Sequence, residues 1–144
     1  MSNKILVALD GSDGGKRAAH IAAEYAKSTN SDLILIYVID WSPYSFNTPE
    51  ENEKRHKRRE SEIQRANDVV LQPEATALRD SGLKVETVVR HGNIAETIVR
   101  IAKKNDVSQI YLGKLGESKI RSMIFGSVTA ALIQMSSVPV TVVP

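Results

Sequence analysis

Residues 109–129 read QIYLGKLGESKIRSMIFGSVT. The apolar run Gln109-Ile110-Tyr111-Leu112 leads into Gly113. Two residues separate Gly113 from Gly116, and nine more separate Gly116 from Gly126-Ser127. Beyond them Val128, Ala131, Leu132 and Met135 recur at helical spacing. Strand, glycine loop and helix start form, in that order, a recipe for holding phosphate. Glycines let the backbone approach a ligand closely, and the first N–H groups of a helix lack partners inside it. Ser127 adds a hydroxyl where the helix is expected to begin. A plainer reading stands beside this one: two glycines after a strand make a turn, and Gly126-Ser127 makes an ordinary helix cap. The spacing is neither a P-loop nor G-x-G-x-x-G.

Working outward, the same alternation repeats. Ile5 to Leu9 is continuously apolar, as suits a strand buried on both faces of a parallel sheet. Asp10-Gly11-Ser12-Asp13-Gly14-Gly15 ends it and caps a helix from about Lys16 to Ser28, whose apolar face reads Ala18, Ile21, Ala22, Tyr25 and Ala26. Leu33 to Ile39 is a second apolar strand. The loop from Asp40 to Pro49 follows and holds Trp41 and Phe46. Its aromatics either line a pocket, meet a partner or pack the loop down. Glu50 to Asp80 is charged and helical, with Ile63, Ala66, Val69, Val70 and Ala77 as its packing face. Pro73 inside it predicts a kink or break, because proline lacks an N–H and clashes with the carbonyl four residues back.

Val85 to Arg90 alternates more than the first two strands, as a sheet edge would. His91-Gly92-Asn93 reads as a turn whose Asn caps a helix over Ile94–Lys104. That helix buries Ile94, Ala95, Ile98, Ile101 and Ala102. The strand at 109–112, a helix to about Met135 and an apolar strand within Ser136–Pro144 complete a β-α-β-α-β-α-β-α-β order. Strict alternation predicts a doubly wound α/β domain spanning 1–144, a five-stranded parallel sheet with helices on both faces. In such sheets ligands sit beyond the carboxyl ends of the strands where the winding reverses. If strands 1 and 4 are neighbours, Asp10 and Gly113 flank one crevice.

Composition narrows the function. The chain has 144 residues, 19 basic and 17 acidic, for a net charge of +2. That balance does not point to nucleic acid. No cysteine is present, which removes disulfides and thiolate chemistry. No apolar run has the length of a membrane span, so a soluble cytoplasmic protein is expected. His20, His56 and His91 are too scattered to form a metal or catalytic cluster.

Asp10-Gly11-Ser12 and Tyr37-Val38-Ile39-Asp40 at two strand ends, the long glycine spacing, the Gly92…Ile98 helix start and the terminal Val-Pro-Val together resemble the universal stress protein family, over the whole chain. The resemblance implies a sheet ordered 3-2-1-4-5 of the Rossmann-like HUP type, with ATP at the switch point between strands 1 and 4. It implies Asp10 on the ribose or a metal-linked phosphate, Ala8 near the base and the main chain of Val38 on the adenine edge. Gly113, Gly116 and Gly126 would wrap the phosphates, with Ser127, Val128 and Thr129 completing the cradle. ATP would come with Mg or Mn. Lys114-Leu115 departs from the family pattern, which has a small polar residue and then His or Arg. Lys114 either replaces that cation or faces water. Glu117 adds negative charge beside the expected phosphates.

No residue stands out as an activator of water, so a nucleotide-dependent stress-response switch or sensor with at most weak ATPase activity is expected. The apolar edge strand Val138–Val143 predicts a homodimer by pairing with its copy, as the family does. The alternative is a dimeric regulatory module that docks on a partner protein without nucleotide. A related adenine-nucleotide α-hydrolase or an electron-transfer flavoprotein domain is a third reading, for which the sequence has no reactive-site motif.

Overall fold

A computed structural model describes residues 3–40, 49–114 and 119–144. The order is β1 (Lys4–Ala8), α1 (Asp13–Thr29), β2 (Asp32–Asp40), α2 (Pro49–Arg65), a π-helical segment (Ala66–Leu71), α3 (Gln72–Asp80), β3 (Val85–Gly92), α4 (Ile94–Lys104), β4 (Gln109–Gly113), α5 (Lys119–Met135) and β5 (Val140–Val143). The strands form one sheet ordered β3-β2-β1-β4-β5, and every pairing is parallel. The order and the placement of β3 at an edge agree with expectation. Among the described residues no helix is long and apolar enough to cross a membrane.

Side chains alternate across each strand, so the core is split in two. Leu33, Leu35 and Tyr37 of β2 join Ile5, Val7 and Tyr111 under α1 and α3. Ile34, Ile36 and Val38 join Leu6, Ala8 and Leu112 under α4 and α5. Burial pushes the Tyr111 phenol above its ordinary pKa; a hydrogen bond to Thr141 opposes the shift and the nearby Tyr25 adds to it.

The buried face of α1 differs from the expected one. Ala18, Ala19, Ala22, Ala23 and Ala26 are buried, whereas Ile21 and Tyr25 are 44% and 43% exposed. The physical reason is distance. A helix that presents only methyl groups can sit very close to the sheet, and α1 does so over β4. A Cβ placed on Gly113 would lie 2.7 Å from the backbone carbon of Gly14.

Pro73 disturbs its helix, but without ending it. The backbone widens to π geometry over Ala66–Leu71, and the proline then falls in the first turn of α3, where a missing N–H costs little. The π segment also shifts the helical phase. Leu71, Ala75 and Leu78 are buried in place of the expected Val69 and Ala77, and Val69 is 63% exposed.

The start of α5 is a second correction. The helix runs from Lys119, so Gly126 and Ser127 lie within it and do not begin it. Residues 119–125 contain neither proline nor glycine, and nothing in that composition stops a helix. His91 is also not a turn residue. It lies within β3, opposite Ile39, and its Nε2 lies 3.3 Å from Oε2 of Glu62 on α2. Asn93 caps α4 as expected, accepting from the N–H of Glu96 at 3.0 Å.

Candidate functional site

The sheet leaves a notch at its carboxyl end because β1 is short. The last residue of β1, Ala8, pairs with Ile36 on one side and Leu112 on the other. The N–H of Leu9 donates to the Ile36 carbonyl at 2.9 Å, after which the chain turns into α1. β2 continues four residues further, to Asp40, paired there only with β3. Backbone groups along a strand face alternate edges, so Val38 turns its N–H and C=O the same way as Ile36, toward the notch.

Asp10 stands at the turn. Its Oδ1 accepts from the Ser12 N–H at 2.9 Å and from the Ser12 hydroxyl. Ser12 in turn caps α1 by accepting from the Gly15 N–H at 3.2 Å. Gly11 between them has φ +85°, which only glycine adopts without strain. The sequence Asp-Gly-Ser thus fixes one carboxylate at the mouth of the notch through a chain of local hydrogen bonds.

A cavity of about 220 Å³ fills the notch on the α4/α5 side. Ala8, Ile36 and Leu112 make its floor, and Ile94 and Ile98 from α4 and Val128 from α5 make its walls. Asp10 and Asp40 supply the charge, and Val38 lines it. Apolar walls with a few polar groups at one end describe a small-molecule pocket.

Of the residues singled out from sequence, Ala8, Asp10, Val38 and Val128 come together here. Gly113 is buried against Gly14 and Gly15 of α1. Lys114 is exposed, and its N–H donates to Val143 O at 2.7 Å, tying β4 to β5. Gly126 and Ser127 are exposed on α5 and Thr129 is half-buried. Gly116, Leu115, Glu117 and the loop at 41–46 lie outside the described residues. Among the described residues no three histidines or carboxylates gather as metal ligands.

Sequence reasoning missed Ile36, Leu112, Ile94 and Ile98 as pocket walls. The signal was present as parity. Ile36 shares a face with Val38, and Ile94 and Ile98 are one helical turn apart at the start of α4.

Comparison with known proteins gives a consistent result. The chain matches the Universal stress protein family over residues 1–144. It is 29% identical over 156 residues to Universal stress protein YxiE of Bacillus subtilis, covering 99% of each chain. The fold is similar to that of UspA from Lactobacillus plantarum, with a TM-score of 0.84 at 25% identity over 99% of this chain and 97% of that one. It is also similar to a universal stress protein solved in complex with cAMP, with a TM-score of 0.62 at 25% identity over 99% and 96% of the two chains. The alternating α/β order, the 3-2-1-4-5 sheet and a match running the full length agree on one conclusion: this chain belongs to the universal stress protein family.

Proposed function

We propose that the protein binds an adenine nucleotide, ATP in particular, in the notch beyond Ala8, and acts as a nucleotide-dependent stress-response switch. The observation that carries this reading is the backbone edge of Val38, two residues beyond the last pairing of β2 with β1, beside an apolar slot that ends at Asp10. A flat heterocycle needs apolar surfaces on both faces and hydrogen-bond partners at its rim. Ile36, Ile94 and Leu112 supply the first, and the Val38 N–H and C=O supply the second. Asp10 is then placed to accept from a ribose hydroxyl. At about 220 Å³ the cavity is below the roughly 300–1,000 Å³ that takes a whole drug-sized ligand, so it suits base and sugar, with phosphates outside along 113–128. The relative solved with cAMP supports the same ligand class. A divalent ion such as Mg or Mn would be carried largely on phosphate oxygens, with Asp10 supplying a protein carboxylate at the turn.

The start of α5 at Lys119 gives this reading a conformational consequence. For Gly126, Ser127 and Val128 to offer free N–H groups to phosphate, α5 must unwind up to Gly126. An exposed glycine in a helix interior costs about 1 kcal/mol relative to alanine, and a Cβ at Gly126 would meet nothing within 4 Å. Gly126→Ala should therefore raise folding stability by up to about 1 kcal/mol and weaken ATP binding, because the substitution favours the wound helix. Thermal melts and calorimetry check both signs. Unchanged affinity would remove the 126–128 segment from the site.

The direct test is ligand content. Freshly purified protein should carry adenine nucleotide, seen as excess absorbance at 260 nm and identified by chromatography. Protein that emerges free of nucleotide and shows no heat with Mg-ATP would leave the nucleotide-independent docking module as the better reading. Hydrolysis is expected to be at most weak, which a phosphate-release assay with Mg-ATP checks.

A homodimer through the edge strand belongs to the same proposal. β5 pairs with β4 on one side, and among the described residues no strand pairs with the backbone groups of its other edge, flanked by half-buried Val140 and Val142. Pairing with a second copy would satisfy them. Gel filtration at micromolar concentration should show a dimer; a single species near 15.8 kDa would count against it.

A further inference from the structure

The backbone at Gly15 does not call for a glycine. The residue is buried in the first turn of α1 and its φ is not left-handed, and glycine weakens a helix relative to alanine. What its bareness provides is room. A Cβ there would lie 3.2 Å from Oδ1 of Asp10 and 3.5 Å from both the Asp10 N and Leu9 Cδ2. Only the first of these contacts is tight, so the missing side chain makes space for the Asp10 carboxylate.

That carboxylate is held by a seat of two residues. The Ser12 N–H donates to Oδ1 at 2.9 Å, and the Ser12 hydroxyl donates to the same oxygen. The Ser12 hydroxyl is fixed in turn, because its oxygen accepts from the Gly15 N–H at 3.2 Å. Two donors on one oxygen set the rotamer of Asp10 before any ligand arrives, and the same residue lines the apolar cavity. A group ordered in advance loses less entropy on binding.

We propose that Ser12 and Gly15 are positioning residues that hold Asp10 against the sugar, and that through it they make the notch select nucleotides bearing ribose hydroxyls over those without them. The inference rests on the adenine-nucleotide reading above and names what that site discriminates. A carboxylate accepts hydrogen bonds and donates none. A ribose hydroxyl supplies the donor, and a 2′,3′-dideoxy sugar supplies none. One hydrogen bond to a charged group corresponds to about 10- to 100-fold in affinity. A carboxylate released from its seat turns to water and gives up part of that preference.

Calorimetry on full-length protein, with Mg-ATP and with Mg-2′,3′-dideoxy-ATP, reads the ratio of the two affinities. A ratio of at least about tenfold is expected for the wild type. Ser12→Ala removes a donor from Oδ1 and should cut the ratio to about threefold or less by weakening ATP alone. Ser12→Thr keeps the hydroxyl and should keep the ratio. Gly15→Ala leaves every donor in place but displaces Oδ1, so the ratio should fall as in Ser12→Ala. Its thermal melt should stay at or above that of the wild type, since alanine favours the helix. Gly15→Ala also decides the matter if Ser12→Ala, having lost its helix cap, does not fold. A wild-type ratio near one, or a wild-type ratio retained in folded Ser12→Ala or Gly15→Ala, would overturn the proposal while leaving nucleotide binding intact. A wild-type protein that binds neither nucleotide would instead overturn the reading on which it rests.

Discussion

Ala8→Phe is expected to abolish adenine-nucleotide binding while leaving the protein folded. Ala8 is the last residue of β1 and is 8% exposed. It sits between Ile36 and Leu112 in the sheet and faces the layer of Ile98 and Val128. In an ordinary packed core an added ring costs about 1–3 kcal/mol by overpacking. Here the ring enters a space that already exists, the 220 Å³ cavity, so most of that cost is avoided. The slot proposed for the base is then filled. A loss of at least about 100-fold in affinity is expected, about 2.8 kcal/mol at 1.4 kcal/mol per decade. Calorimetry with Mg-ATP measures the first effect and a thermal melt the second. Wild-type affinity in a variant with a wild-type melt would mean that the base binds elsewhere.

Gly113→Val should do the reverse, striking the fold first. The added Cβ would lie 2.7 Å from Gly14 C, 2.8 Å from Gly14 O and 3.0 Å from Gly15 N. All three are backbone atoms of the first turn of α1, so no rotamer change relieves the contact. The helix must lift off β4, and its buried row of alanines loses contact with the sheet along much of its length. Overpacking of this kind costs about 3 kcal/mol or more, roughly 10 °C in melting temperature for a chain of this size. Val at Gly126, where nothing lies within 4 Å, should show no such loss. A Gly113→Val protein that melts with the wild type would show that α1 does not pack as described.

These two glycines separate what a pattern can say from what it cannot. In the sequence Gly113 and Gly126 belong to one spaced motif and receive one explanation, freedom of the backbone near phosphate. In the fold they answer to different constraints. Gly113 is small because a neighbouring helix passes too close for a side chain. Gly126 has open space around it and costs helix stability, so no close neighbour requires a glycine there. Spacing carries the resemblance and says nothing about which neighbour each residue meets.

Much else was legible because it is local. The alternation of strand and helix, continuous apolarity in β1 and β2, the mixed pattern of β3, the Asn93 cap and the bounds of α4 all follow from periodicity and capping within a few residues. The disturbance at Pro73 was legible for the same reason. The side of α1 that is buried was not: Ile21 and Tyr25 have the hydrophobicity of core residues, but only the alanine stripe lets the helix approach Gly113. Nor was the packing face of α2–α3, since one widened turn rotates every residue that follows it.

The amino-acid order by itself therefore determined the class of fold, the family, and the grouping of Ala8, Asp10 and Val38 at strand ends, because these rest on local periodicity and on a motif. The tertiary structure alone decided which glycine is steric, where α5 begins, and that β2 outruns β1 to leave a notch beyond Ala8. Those outcomes depend on how closely separate elements approach, a quantity set by side chains far apart in the chain.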